Sequence, residues 1–196
     1  VSHLYERDCT LQRRHQKIVE VAPSPSLPEP LRRGVLEAAV ALARRAEYLS
    51  LGTFEFLVDL DRPGTFYFME ANPRLQVEHT VTEAVLGIDL VRTQIEVAAG
   101  RTLAELGLVQ DRVPHPRGHA VQLRINMETM TATGEALPSG GVLRAFDIPS
   151  GPGIRVDTFG YTGYRTSANY DSLLAKLIVH SPGAAYTDAV AKSARA

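Results

Sequence analysis

Two short apolar runs, Thr53-Phe54-Glu55-Phe56-Leu57-Val58 and Thr65-Phe66-Tyr67-Phe68-Met69-Glu70, flank the turn-forming segment Asp61-Arg62-Pro63-Gly64. This pattern constrains the fold more than any other in the chain, because turn residues between strand-like runs predict an antiparallel hairpin. If Leu60 faces Thr65 across a four-residue loop, counting outward sets Glu55 opposite Glu70. Like charges facing each other across a ladder repel, and a carboxylate buried without compensation is costly or takes up a proton. A sequence shaped by folding alone avoids such a pair. A divalent cation between the acids removes the conflict, and the oxygen donors Glu55, Glu70 and Asn72 suit a hard ion, Mg or Mn, held jointly with substrate phosphates. The competing reading is a register slip that turns one acid to water or to an arginine.

The second run continues as Glu70-Ala71-Asn72-Pro73-Arg74-Leu75-Gln76-Val77-Glu78, in which the even positions are polar or charged. An extended backbone sends alternate side chains to opposite faces. Glu70, Asn72, Arg74, Gln76 and Glu78 are therefore expected on one side and Ala71, Leu75 and Val77 on the other. Two acids, two amides and a guanidinium in one row predict the floor of an active site.

Composition narrows the partners. A formal charge of -1, from 21 basic and 22 acidic residues among 196, gives no general attraction for nucleic acid or an anionic membrane. Charge recognition must then be local. The 44% hydrophobic content supports a core. Cys9 is the only cysteine, so no internal disulfide or thiolate cluster can form, and a reducing cytoplasm fits best. No run approaches the roughly 20 apolar residues of a membrane span, and the first residues lack an apolar signal core. A start at Val1 and an end inside a helical pattern are read as a piece of a longer polypeptide.

A first strand is expected near Ser2 to Glu6, and prolines 23, 25, 28 and 30 close that unit. From Pro30 to Tyr48, Leu31, Val35, Leu36, Ala39, Leu42, Ala43 and Ala46 recur at helical spacing. Thr82 is the expected cap of a short helix stopped by Gly87, and Asp89 of a second one ending at Gly100. Beyond the polar boundary Gln110 to Arg117, strands are expected at 120–126, 142–146, 154–157 and 173–179. The glycine turns at 140–141 and 151–153 match neither common phosphate-binding fingerprint and read as hairpin connections.

Glu6 to Lys17 gathers several basic residues and His15, either a solvated face or an anion-binding segment beside a metal site. Cys9 reads as an inert core residue. Arg124, inside the apolar strand Ala120 to Asn126, is either paired or aimed at an anion.

Taken together, Glu6-Arg7-Asp8-Cys9 with Gln12-Arg13-Arg14-His15-Gln16-Lys17, Gly52-Thr53-Phe54-Glu55-Phe56, and Glu70-Ala71-Asn72-Pro73-Arg74-Leu75-Gln76-Val77-Glu78-His79 resemble the biotin carboxylase family. Gly118-His119-Ala120-Val121, Arg124-Ile125-Asn126 and Asn169-Tyr170-Asp171-Ser172-Leu173-Leu174-Ala175-Lys176-Leu177-Ile178 resemble its C-terminal domain. The resemblance implies an α+β chain: residues 1–107 as the second half of an ATP-grasp domain, with antiparallel sheet and flanking helices, and residues 108–196 as a small β-rich C-terminal domain. It further implies an ATP-, Mg- or Mn-dependent ligase that carboxylates biotin on a carrier, using bicarbonate activated as carboxyphosphate.

Carried over by resemblance, Glu55, Glu70 and Asn72 would hold the metal. Lys17, Arg74, Gln76 and the Val77 backbone would hold bicarbonate, and Glu78 would deprotonate it. Gln12 and His15 would meet the nucleotide ribose, Leu57 would lie under adenine, and Arg124 would steady carboxyphosphate or the biotin enolate. Implied partners are the N-terminal half of the same enzyme, a biotin carboxyl carrier, a carboxyltransferase and a second copy docked near Arg155. The family's glycine-rich lid, phosphate-binding lysines and adenine hinge precede this segment, which alone is not expected to run the full reaction. Within it, Asn126-Met127-Glu128-Thr129-Met130 departs from the family's Asn-Ala-Glu-Asp-Pro, and Pro152 stands where an aromatic residue is common at the dimer contact. A carbamoyl phosphate synthetase-type ligase would share the carboxyphosphate chemistry but not the C-terminal domain with Arg124. A noncatalytic docking module would be expected to lose Glu55, Glu70, Arg74 or Glu78, and all four are present. Family enzymes whose final carboxyl acceptor is acetyl-CoA, propionyl-CoA, pyruvate or urea share this component, so the sequence does not select among those acceptors.

Overall fold

The structure, a computed structural model, describes residues 1–196. In chain order its elements are β1 (Gln12–Arg13), β2 (Gln16–Lys17), β3 (Val19–Ala22), α1 (Glu29–Arg45), β4 (Thr53–Val58), β5 (Phe66–Asn72), α2 (His79–Leu86) and α3 (Leu90–Ala98). Then follow β6 (His119–Asn126), β7 (Glu128–Met130), β8 (Ala136–Pro138), β9 (Gly141–Val142), β10 (Ile154–Thr158), β11 (Arg165–Thr166), β12 (Leu173–Ser181) and α4 (Tyr186–Arg195). Every strand pair is antiparallel, as expected for this α+β chain.

Local signals explain the helix ends. Pro28 and Pro30 begin α1, where a missing N–H has no helical partner to lose. The Asp89 carboxylate accepts from the Arg92 N–H at 2.8 Å and caps α3. Gly87, at φ +70, ends α2 in the left-handed region that favours glycine. Thr82 does not cap α2: the helix starts at His79, and the buried Thr82 hydroxyl accepts from Arg7 instead. Nor does Ser2 to Glu6 form a strand. Tyr5 has φ +63, and the first pairing comes only after this segment, as a single bridge between Asp8 and Val21.

The main sheet runs β10-β12-β6-β3. Strand β3 therefore joins strands some hundred residues downstream, and one sheet spans both sequence-defined parts. Alternation along its strands sorts the core: Ala22 and Ala120 pack with Val81, Val85 and Leu86 of α2, while Val21 and Val121 pack with Ala189 of α4. Two helices thus cover opposite faces. The glycine turns do not close hairpins between neighbours, since β9 pairs with β11 and β10 with β12.

The two small hairpins carry the site. Strands β1 and β2 join through Arg14 and His15, both at positive φ, the twist-matched geometry of a two-residue loop, which sets Gln12 opposite Lys17. In β4–β5, Val58 faces Phe66 and Phe56 faces Phe68, one residue out of step with the loop count from sequence. An extra residue, Met69, then bulges from β5 and restores the expected Glu55–Glu70 pair. Thr53, Glu55, Leu57, Tyr67, Glu70 and Asn72 consequently share one face. On the other, Phe56 meets Phe66 and Phe68 edge-on, and Phe66 lies against Gly34 of α1.

Candidate active site

Beyond Asn72 the chain turns rather than staying extended, correcting the expectation of one continuous row. The Arg74 N–H donates to the Asn72 carbonyl, the His79 N–H to the Gln76 carbonyl, and the His79 ring Nδ1 lies 2.8 Å from that same carbonyl. Gln76 (5% exposed) and Glu78 (3%) turn inward. Arg74 turns outward, and its guanidinium touches the adjacent Leu75 carbonyl at 3.4 Å. It stands apart from the buried cluster.

Glu78 is gripped at both oxygens: Lys17 Nζ lies 3.0 Å from Oε1 and Arg124 Nη2 lies 3.1 Å from Oε2. The two-way reading of Arg124 thus resolves to a pair with Glu78. Burial pushes the Glu78 carboxyl up, but the hydrogen bond and charge of Lys17, with the charge of Arg7, outweigh it and hold it below the usual carboxylate range. For Lys17, burial works against the charge while its bonds to Glu55 and Glu78 win, and its ammonium is held on more firmly than usual. Glu55 Oε1 accepts from Lys17 Nζ, from Asn72 Nδ2 at 3.1 Å and from Gln76 Nε2 at 2.9 Å.

Asn72 Nδ2 also donates to Glu70 Oε1 at 2.8 Å, so both acids converge on one amide. Two carboxylates on one strand-pair face offer the oxygen donors that fit a hard divalent ion.

Other residues from the sequence reading are more dispersed. Gln12 Nε2 donates to the Cys9 carbonyl, and His15 sits exposed in the β1–β2 turn. Leu57, 59% exposed, stands beside Tyr67 on the Glu55 face. The Val77 carbonyl accepts from Lys176 Nζ at 3.2 Å. The basic segment is not simply solvated: Arg13 pairs with Glu128, and Lys17 and Arg7 enter the buried network. Cys9 is half-buried rather than part of the core, and burial with the nearby Glu20 charge pushes its thiol up to about 11.

Three residues escaped assignment from sequence: Arg7, Glu20 and Lys176. Arg7 Nε bonds Glu20 at 3.2 Å, and its Nη atoms reach Thr82, Thr53 and Gln76 at 3.3, 3.2 and 2.7 Å. Nothing in the sequence signals Glu20, since Val19-Glu20-Val21 has the alternation of a strand with one solvated face.

Residues 1–106 match the family described as "Carbamoyl-phosphate synthase L chain, ATP binding domain", which defines the class as ATP-grasp. Residues 122–196 match "Biotin carboxylase C-terminal domain", the part that separates the two bicarbonate-activating readings. The chain is 49% identical over 182 residues to a biotin carboxylase of Nostoc sp., covering 93% of this chain and 39% of that protein. It is 45% identical over 197 residues to pyruvate carboxylase 1 of Caenorhabditis elegans, covering 100% and 16%. Among solved structures, a biotin carboxylase domain of a single-chain bacterial carboxylase superposes with a TM-score of 0.89 at 50% identity, covering all of this chain and 43% of that one. A single-chain, multi-domain long-chain acyl-CoA carboxylase gives 0.93 at 46% identity, covering 98% and 21%. The chain belongs to the biotin carboxylase family. It spans well under half the length of these relatives.

Proposed function

We propose that this chain supplies the bicarbonate-activating part of a biotin carboxylase, an ATP-dependent ligase that carboxylates carrier-bound biotin. The observation that carries the reading is the grip of Lys17 and Arg124 on the buried Glu78. A carboxylate neutralised by two cations is a weak base, yet bicarbonate arriving between those cations would draw off their hydrogen bonds. Burial, which already presses the Glu78 carboxyl upward, would then prevail and make it a competent base. Exposed Arg74, the Gln76 amide and the Val77 backbone are the further groups we assign to bicarbonate.

Bicarbonate oxygen attacks the γ-phosphorus of ATP, giving carboxyphosphate and ADP. Carboxyphosphate breaks into CO2 and phosphate, and phosphate takes the ureido proton of biotin as its nitrogen attacks CO2. Positioning and charge neutralisation dominate such transfers. Mg or Mn at Glu55, Glu70 and Asn72 would neutralise nucleotide phosphate charge. Leu57, open on the Glu55 face, suits the adenine, Gln12 and His15 the ribose, and Arg124 the carboxyphosphate or biotin enolate. Residues 1–107 and 108–196 are assigned as the two sequence parts of this unit. Its partners would be the N-terminal half of the enzyme, a carrier, a carboxyltransferase and a second copy near Arg155, with the cytoplasm as its compartment. No helix is long and apolar enough to cross a membrane.

The test is Glu78→Gln in the full-length enzyme. Bicarbonate-dependent ATP cleavage and biotin carboxylation should fall together by about 100- to 10,000-fold, the range for loss of a general base. A wild-type rate across the pH range would remove Glu78 from the mechanism.

A further inference from the structure

We propose that Arg7 is a positioning residue that locks the amide of Gln76, and through it the Glu55 carboxylate, for the bicarbonate step. The inference rests on the role assigned to Gln76 above. A guanidinium has only donors and a carboxylate only acceptors. Gln76 stands between one of each: its Oε1 accepts from Arg7 Nη2 at 2.7 Å, and its Nε2 donates to Glu55 Oε1 at 2.9 Å. Rotating the amide by half a turn would set oxygen against oxygen and NH2 against guanidinium, so its polarity is fixed from both ends. Being buried, Gln76 has little water to soften that choice.

Arg7 is itself over-determined. Its remaining donors reach Thr53 on β4, Thr82 on α2 and Glu20 on β3, so a single fork ties the hairpin, the helix and the main sheet around Gln76. Glu20 takes part through Oε1, which accepts from Arg7 Nε. The hydrogen bonds of Arg7 go to these four residues, so its geometric hold on the reacting region runs through Gln76; its charge also reaches Glu78, and Arg7→Lys keeps that charge. Lysine keeps the charge but cannot hold this planar set of directions.

The experiment is a double-mutant cycle in the full-length enzyme, reading bicarbonate-dependent ATP cleavage. Arg7→Lys should lower kcat/KM for bicarbonate by about 10- to 100-fold, the range for partners that orient ligand-holding side chains. The KM for ATP should stay within about twofold, near the limit at which independent sites are told apart. Gln76→Ala should show a comparable loss, and Arg7→Lys added to Gln76→Ala should cost nothing more. If the two losses multiply, or Arg7→Lys saturates with bicarbonate as the wild type does, the inference is overturned. Should Arg7→Lys fail to fold, Thr82→Val replaces it: losing one anchor of the fork should cost about fivefold in the same parameter, and nothing in the Gln76→Ala background. An unchanged or additive Thr82→Val would equally overturn it. If Gln76→Ala alone leaves bicarbonate saturation unchanged, the assignment of Gln76 falls first and takes the inference with it.

Discussion

The main sheet and the β4–β5 hairpin both deliver charged groups to one site, but from opposite kinds of surroundings. Strand β3 brings Glu20, β6 brings Arg124 and the start of α2 brings Glu78, all from behind packed layers in which Ala120, Ile178 and Val179 are fully enclosed. The hairpin brings Glu55, Glu70, Asn72 and Leu57 without burying a single one of its residues. Groups on the sheet side are paired within the chain; on the hairpin side Glu55 is paired too, with Lys17, Asn72 and Gln76, but Glu70 and Leu57 stand exposed. Burial fixes a charge at the cost of adaptability; exposure leaves it ready for a ligand. On this reading bicarbonate meets the rigid wall, and the metal and nucleotide meet the open one.

The contrast breaks most visibly if stability does not follow it. Ile178→Ala, in the main sheet at 2% exposure, should destabilise the chain by about 2–5 kcal/mol in urea unfolding. A loss like that of a surface change would mean the sheet is not the rigid half. A smaller effect sharpens the comparison within the network. Burial, opposed by Arg7, raises the Glu20 carboxyl from 4.5 to about 8, so between those values the folded chain keeps a proton that the unfolded chain releases. Stability should therefore fall as pH rises through this window, with a slope approaching about 1.4 kcal/mol per pH unit, and Glu20→Gln should flatten it. Glu78 has the reverse sign: its contribution is present above the ordinary carboxyl value and fades as pH drops below it. An unaltered slope in Glu20→Gln would show that Arg7 holds Glu20 ionised. The smallest changes belong to the open side, where Leu57→Ala and Arg74→Lys should each alter stability by less than about 0.5 kcal/mol. Arg74→Lys should nevertheless impair bicarbonate saturation in the full-length enzyme while sparing the KM for ATP.

How far the sequence reveals this arrangement depends on whether the signal is local. The hairpin, α1 and the Asp89 cap follow from turn chemistry, apolar spacing and a single side-chain acceptor. The Glu55–Glu70 pair was legible partly through cancellation, since the loop runs one residue short of the count and the Met69 bulge returns it. Alternation from Glu70 to Glu78 was misleading beyond Asn72, because a turn with satisfied polar side chains produces the same pattern as a strand. Arg7 looked like one more solvated cation, and the partners that bury it lie 13, 46, 69 and 75 residues away. The pairing of β3 with β6 left no local mark at all. Family resemblance, rather than periodicity, connected Lys17, Glu78 and Arg124.

That β3–β6 pairing also imposes an order of events. Lys17 lies two residues before β3 and Arg124 lies on β6, so their shared grip on Glu78 requires two ends of a long loop to meet. Closing such a loop costs chain entropy before any contact repays it, and distant pairings form slowly. Helix α1 and the β4–β5 hairpin, built from neighbours, should be protected first in pulse-labelled amide exchange during refolding, with β3 and β6 later. Simultaneous protection would refute the sequence of steps. For a ribosome-bound chain, it means that Glu55 and Glu78 are synthesised well before Arg124, and the acids must wait in water for the strand that completes their neutralisation.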